Sequence, residues 1–122
     1  MNEKKVINQT ILPLNLKHIQ INKNFWGPKL KLIKEKVIPH QWLALNDLLP
    51  DAEPSHAIMN FRIAAGEATG QFGGYYWQDS DVFKWLEAVG YLLAQEADPG
   101  LEEKADQVID LIARAQGRAL AL

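Results

Sequence analysis

Two aspartates flank a serine at positions 79 to 81, directly after a run of glycines and aromatic rings. The stretch reads Phe72-Gly-Gly-Tyr-Tyr-Trp-Gln-Asp-Ser-Asp-Val-Phe-Lys-Trp-Leu-Glu-Ala88 and is the chemically densest part of the chain. Paired carboxylates beside aromatic side chains can accept hydrogen bonds from sugar hydroxyls or handle protons at a glycosidic bond. The same acids also suit a plainer task. Asp79 or Ser80 would cap a helix, and Asp81 would favour its positive N-terminal end. For catalysis the capping role is the stronger reading; for contact with a ligand the two readings stand level. A helix start beside a glycine loop attracts anions, but two carboxylates there repel a phosphate.

Phe72, Tyr75, Tyr76 and Trp77 could present ring faces to the apolar face of a sugar, with tyrosine hydroxyls adding polar contacts. Phe83 and Trp85, further along the same run, are expected in the core. Among these residues Tyr76, Trp77, Asp79 and Asp81 are the candidates for contact with a ligand. None is assigned a catalytic role. The histidines at 18, 40 and 56 match no ligand spacing such as His-Glu-x-x-His, so no metal site is expected within the chain. His56 is placed to make a polar contact near the loop. Walker-type, nucleophile-elbow and dinucleotide glycine patterns are missing.

Composition narrows the classes further. The chain has 122 residues, 48% of them hydrophobic, a net charge of −2 and no cysteine. One domain's worth of sequence is present. The slight negative charge gives no reason to expect nucleic acid or an anionic membrane as partner. Without cysteine, neither a disulfide framework nor a thiolate metal site can form from this sequence. The first ten residues lack an apolar signal-peptide core, which points to the cytoplasm.

The elements that position these residues are read from periodicity. Residues 1 to 24 form an N-terminal extension: a loose lead-in over 1 to 12, then one short strand where His18 to Asn22 alternates. Pro28 suits a first helical turn, and Leu30, Ile33, Val37 and Ile38 give a helical stripe. Pro39 predicts a kink or break before the stripe resumes through Trp42, Leu45 and Leu48. Pro50 to Pro54 is a linker. Ser55 caps a helix over 56 to 65, with Gly66 as its stop. A loop with glycines at 66, 70, 73 and 74 leads to a helix from about Val82 to Ala94. Asp98-Pro99 opens the last helix, which runs to about Gln116 on Leu101, Ala105, Val108, Ile109, Ile112 and Ala115. These are stacked helical hairpins, and so short a stack leaves an apolar flank without a neighbour.

Five runs, in order and at matching spacing between about residues 20 and 116, resemble the start of the catalytic domain of the family 127 glycoside hydrolases, the β-L-arabinofuranosidase-like proteins. They are Phe25-Trp-Gly-Pro-Lys-Leu30, Val37-Ile-Pro-His-Gln-Trp42, Ser55-His-Ala-Ile-Met-Asn-Phe61 with Ala64-Ala-Gly66, Gln78 to Ala88, and Asp110 to Gln116. The resemblance implies an all-α fold in which residues 25 to 122 are the first helical hairpins of an incomplete (α/α)6 barrel. It implies an L-arabinofuranose-containing glycan as substrate, cleaved with retention of configuration, with Tyr76, Trp77, Gln78, Asp79 and Asp81 forming part of the wall of the sugar site. It also implies zinc for the full-length family, with a cysteine nucleophile and a glutamate acid/base downstream of the matched part. No such cysteine can be carried over, so no hydrolysis is expected of this chain alone.

After Gln116 the sequence departs from the family pattern and ends Gly117-Arg-Ala-Leu-Ala-Leu122. That ending is expected of a truncated or frameshifted reading frame, or of a piece of an assembled sequence. Two other readings stand beside this one: an independent helical carbohydrate-binding or interaction module, and a fragment of another (α/α)6-barrel glycosidase or lyase. Cooperative unfolding would favour the module. Downstream sequence separates the two barrel readings.

Overall fold

The structure is a computed structural model that describes residues 12–120. Of the lead-in expected over 1 to 12, residues 1–11 lie outside the described part, and every regular element among the described residues is helical. A 3-10 turn, Leu16–His18, precedes α1 (Trp26–Leu32), a wide π-helical segment (Ile33–Val37) and α2 (Ile38–Leu45). Then come α3 (Ala57–Ala65), α4 (Asp79–Gln95) and α5 (Pro99–Leu120).

Where a strand was expected over 18 to 22, no strand forms, and none occurs among the described residues. Asn15 accepts a hydrogen bond from the Lys17 amide at 3.0 Å and winds the chain into the 3-10 turn. Ile19 is extended (φ −103°, ψ 121°), but nothing pairs with it. A lone extended residue pair cannot satisfy its backbone as a sheet does.

Pro39 does not break its helix. The chain passes from α1 through the π segment into α2 with helical dihedrals throughout, and the Ile38 amide reaches back to the Ile33 carbonyl. A proline inside an α-helix removes a donor and presses on the carbonyl four residues earlier. Here the turn that holds that carbonyl, at Glu35, is widened, which makes room for the ring.

α3 ends as its sequence implies: Gly66 adopts φ 76° and its amide bonds to the last turn. α4 begins three residues before Val82, at Asp79, and α5 continues past Gln116 to Leu120. Asp98 caps α5 through its Oδ1, which accepts from the Leu101 amide at 3.1 Å.

The core is one cluster. α2 gives Ile38 and Leu45, α3 gives Ala57 and Ile58, α4 gives Val82, Trp85, Val89 and Leu92, and α5 gives Ala105, Val108 and Leu111. Trp85 packs on Trp42 with ring centroids 4.9 Å apart, and its indole N–H points at the Ile38 carbonyl at 3.4 Å. Helices pack on the next but one as well as on the next: α2 lies on α4, and α3 lies along α5. Phe25, Trp26, Leu32, Ile33, Val37 and Leu43 stay exposed along the first helical run. Phe83 departs from the expected core position. It is 47% exposed and meets Phe61 edge-on at 6.1 Å. Its neighbour Val82 takes the inward direction, and one residue turns a helix by about 100°.

Candidate functional site

The segment between α3 and α4 carries the candidate wall, and glycines fix its path. Gly74 has φ 76°, and a Cβ there would stand 2.9 Å from the Ser55 carbonyl oxygen. Gly73 comes close to the His56 ring; a Cβ there would come within 2.8 Å of its Cγ. Two hydrogen bonds hold Gly73 to α3. The Asn60 side-chain amide donates to the Gly73 carbonyl at 2.9 Å, and the Gly73 amide donates to Asn60 Oδ1 at 3.0 Å. His56 is held in turn by Asp47, whose Oδ1 accepts from the His56 amide at 2.9 Å. Both Asp47 (φ 59°) and His56 (φ 58°) are left-handed. That conformation costs a residue with a side chain about 1–2 kcal/mol, so the bond between them offsets strain.

From Gly74 the chain turns into α4. The Tyr75 amide donates to Gln78 Oε1 at 2.8 Å, closing a tight turn. Tyr75 stacks on Trp77 with centroids 4.8 Å apart and planes 8° from parallel, and Tyr76 meets Trp77 edge-on at 4.6 Å. Tyr76 is 83% exposed and Trp77 49% exposed. Three rings thus form a solvent-facing ledge at the start of α4.

The five residues expected at the wall are not all gathered in one place. Tyr76 and Trp77 form the ledge with Tyr75. Gln78 supports the turn through its side chain. Asp79 Oδ1 accepts from the Ser80 amide at 2.9 Å, a local bond at the first turn of α4, and Gln78 stands at the N-cap. Asp81 makes no contact with the ledge rings among its hydrogen bonds and ion pairs. It pairs with Lys84 at 3.2 Å and borders a separate cavity of about 320 Å³ with Gln41, Leu45, Ser55 and Trp85. Both acids sit where they favour the positive helix end. Reading the residues alone did not find Asn60 or Asp47. An asparagine inside a helix facing a glycine loop is the one signal that points to such a bond.

Among the described residues no group of three or more His, Cys, Asp or Glu side chains is placed to hold a metal, and the sequence has no cysteine. Among the described residues no helix is long and apolar enough to cross a membrane.

Comparison with known proteins places this architecture. The family model for the β-L-arabinofuranosidase GH127 catalytic domain matches residues 18–119. The non-reducing end β-L-arabinofuranosidase of Bifidobacterium longum subsp. longum is 41% identical over 111 residues, which is 81% of this chain and 17% of that protein. The crystal structure of a GH127 β-L-arabinofuranosidase from Geobacillus stearothermophilus T6 superposes with a TM-score of 0.77 at 58% identity, over 79% of this chain and 15% of that one. The chain therefore spans less than a fifth of the length of these relatives, at their N-terminal part. With a family match over most of its residues, the chain belongs to the β-L-arabinofuranosidase-like proteins of glycoside hydrolase family 127.

Proposed function

We propose that these helices are the opening hairpins of an (α/α)6 barrel in a glycosidase acting on β-L-arabinofuranosides, and that the start of α4 supplies part of the sugar-binding wall. The observation that carries the reading is the exposed ring ledge, set on a glycine turn in a chain of this family. Stacked rings with open faces suit the C–H face of a furanose, and Tyr76 adds a hydroxyl. Gln78 and Asp79 line the foot of the ledge. Asp81 contributes through the cavity it borders. The packing of α2 on α4 and of α3 on α5 supports the barrel, since a ring of hairpins sets each helix beside the next but one.

A retaining glycosidase needs a nucleophile and an acid/base. Asp79 is bonded to the adjacent amide and Asp81 to Lys84, so both carboxylates already have partners. We assign the bond-breaking groups, and any zinc, to parts of such an enzyme that this sequence does not contain. What these residues do is bind and orient.

The test uses the purified 122-residue chain. Titration with methyl β-L-arabinofuranoside, followed by tryptophan fluorescence, is expected to saturate and to lose that response on Trp77→Ala. An aryl β-L-arabinofuranoside with added zinc is expected to stay intact. Turnover above a blank that disappears on Asp79→Asn would overturn the assignment of chemistry elsewhere.

A further inference from the structure

We infer that Asn60 is a positioning residue for the sugar ledge, and that Asp47 and His56 form the base on which it works. The inference rests on the ledge being a sugar platform. It goes beyond that reading by naming the groups that set where the platform stands.

The rings of Tyr75, Tyr76 and Trp77 have little behind them: all three are substantially exposed. Packing against the core therefore does not fix their place. Their backbone does. Gly73, two residues before Tyr75, is tied to α3 by a donor and an acceptor on one side chain, both supplied by Asn60. Such a two-point bond fixes orientation as well as distance, because it holds the peptide planes on both sides of Gly73 at once. Gly73 comes close to the His56 ring, closer than any side chain at 73 would permit. His56 can offer that ring because its backbone is left-handed, and Asp47 holds it there through the amide bond and an approach of 3.8 Å to Nδ1.

These contacts make one chain of groups: Asp47 to His56, His56 to Gly73, Gly73 to Asn60. Two left-handed residues with side chains stand at its base, and such outliers persist where surrounding structure holds them. Nothing in the α3 helix itself needs this arrangement. A helix start is served well enough by the Ser55 hydroxyl, which accepts from the Ala57 amide at 3.2 Å. What the arrangement does determine is the height and tilt of the turn that carries the ledge.

Three variants of the 122-residue chain test this by NMR, with circular dichroism as a check on helix content. In the wild type, the ring protons of Tyr75 are expected to be shifted upfield by the stacked indole of Trp77. Asn60→Ala is expected to keep the helices, lower the exchange protection of the Gly73 amide at least tenfold, and move the Tyr75 ring protons towards their unstacked positions. Affinity for methyl β-L-arabinofuranoside should fall in parallel. Asn60→Asp, which keeps the acceptor and loses the donor, should recover part of each signal. Gly73→Ala reaches the same contact from the loop side and should also unstack Tyr75, and it serves if Asn60→Ala does not fold. Unchanged Tyr75 shifts in a folded Asn60→Ala chain, or in Gly73→Ala where only that variant folds, would overturn the inference. Loss of the shifts in a chain whose wild type binds no arabinofuranoside supports the positioning role and removes the sugar reading alone.

Discussion

Replacing glycine by alanine should have opposite effects at two positions on either side of the start of α4. Gly74 is left-handed at φ 76°, and a Cβ there would crowd the Ser55 carbonyl at 2.9 Å and strike the Gln78 side-chain amide. The left-handed backbone alone costs alanine about 1–2 kcal/mol. Displacing Gln78 also removes its bond to the Tyr75 amide, a loss of about 0.5–1.5 kcal/mol. Together Gly74→Ala should destabilise the chain by about 1.5–3.5 kcal/mol. Gly90 lies inside α4, exposed, with nothing within 4 Å of its would-be Cβ. There alanine removes a flexible residue from a helix interior and should stabilise by about 0.5–1 kcal/mol. Urea unfolding followed by far-UV circular dichroism measures both. With a slope of about 1.5 kcal/mol/M, the midpoint should fall by about 1.5 M for Gly74→Ala and rise by about 0.5 M for Gly90→Ala. A Gly74→Ala midpoint equal to wild type would refute the account of the turn. A fall for Gly90→Ala would refute the view that this face of α4 is open in the chain.

Other perturbations probe separate parts. Trp85→Ala removes a 2% exposed ring packed at a tilt against Trp42 and should cost about 3–5 kcal/mol; a loss below about 1 kcal/mol in chemical denaturation would contradict its place in the core. Asp98→Ala should cost about 1 kcal/mol by leaving the first turn of α5 uncapped, and Asp98→Asn should recover most of it. The Lys34 ammonium is held above its ordinary pKa of 10.5, chiefly by its hydrogen bond to Glu96. A raised folded pKa contributes stability that is fully present below the unfolded value and is lost as pH rises through the folded one. Wild type and Lys34→Met should therefore differ at pH 9 and converge towards pH 12, and a difference that grows with pH would reverse the sign. Zinc added to the chain should leave its thermal unfolding unmoved, since a ligand raises stability only where the folded state binds it.

Much of the helical content could be read from the residues, because stripes such as Val82, Val89 and Leu92 repeat at a helical period and Asp98-Pro99 announces a start. The wall residues were located as a stretch, but their directions were not. Tyr76 and Trp77 lie on the ledge while Asp81 borders a cavity that the ledge rings do not line, and spacing across a loop-to-helix junction does not decide between the two. The strand expected at His18 to Asn22 rested on five alternating residues, too few to outweigh one asparagine side chain that winds the preceding turn. Phe83 looked like core because it is aromatic and helical; only the rotation of α4 against α2 and α5 decides that Val82 goes in instead. Asn60 and Gly73 are thirteen residues apart, and no local pattern links them.

The wide turn before Pro39 bears on how this first helical run could vary between homologues. Leu30 and Ile38 both pack towards the core, eight positions apart. On an uninterrupted α-helix they would be rotated by about 80° from each other. One surplus residue absorbed in the Ile33–Val37 turn brings that offset close to about 20°. Removing a single residue between 33 and 37 would therefore leave the greasy seam aligned, but it would also close the turn that makes room for Pro39, so such a deletion should be structurally quiet only where that proline is replaced as well. The same deletion placed inside α4 would turn half its buried stripe to water.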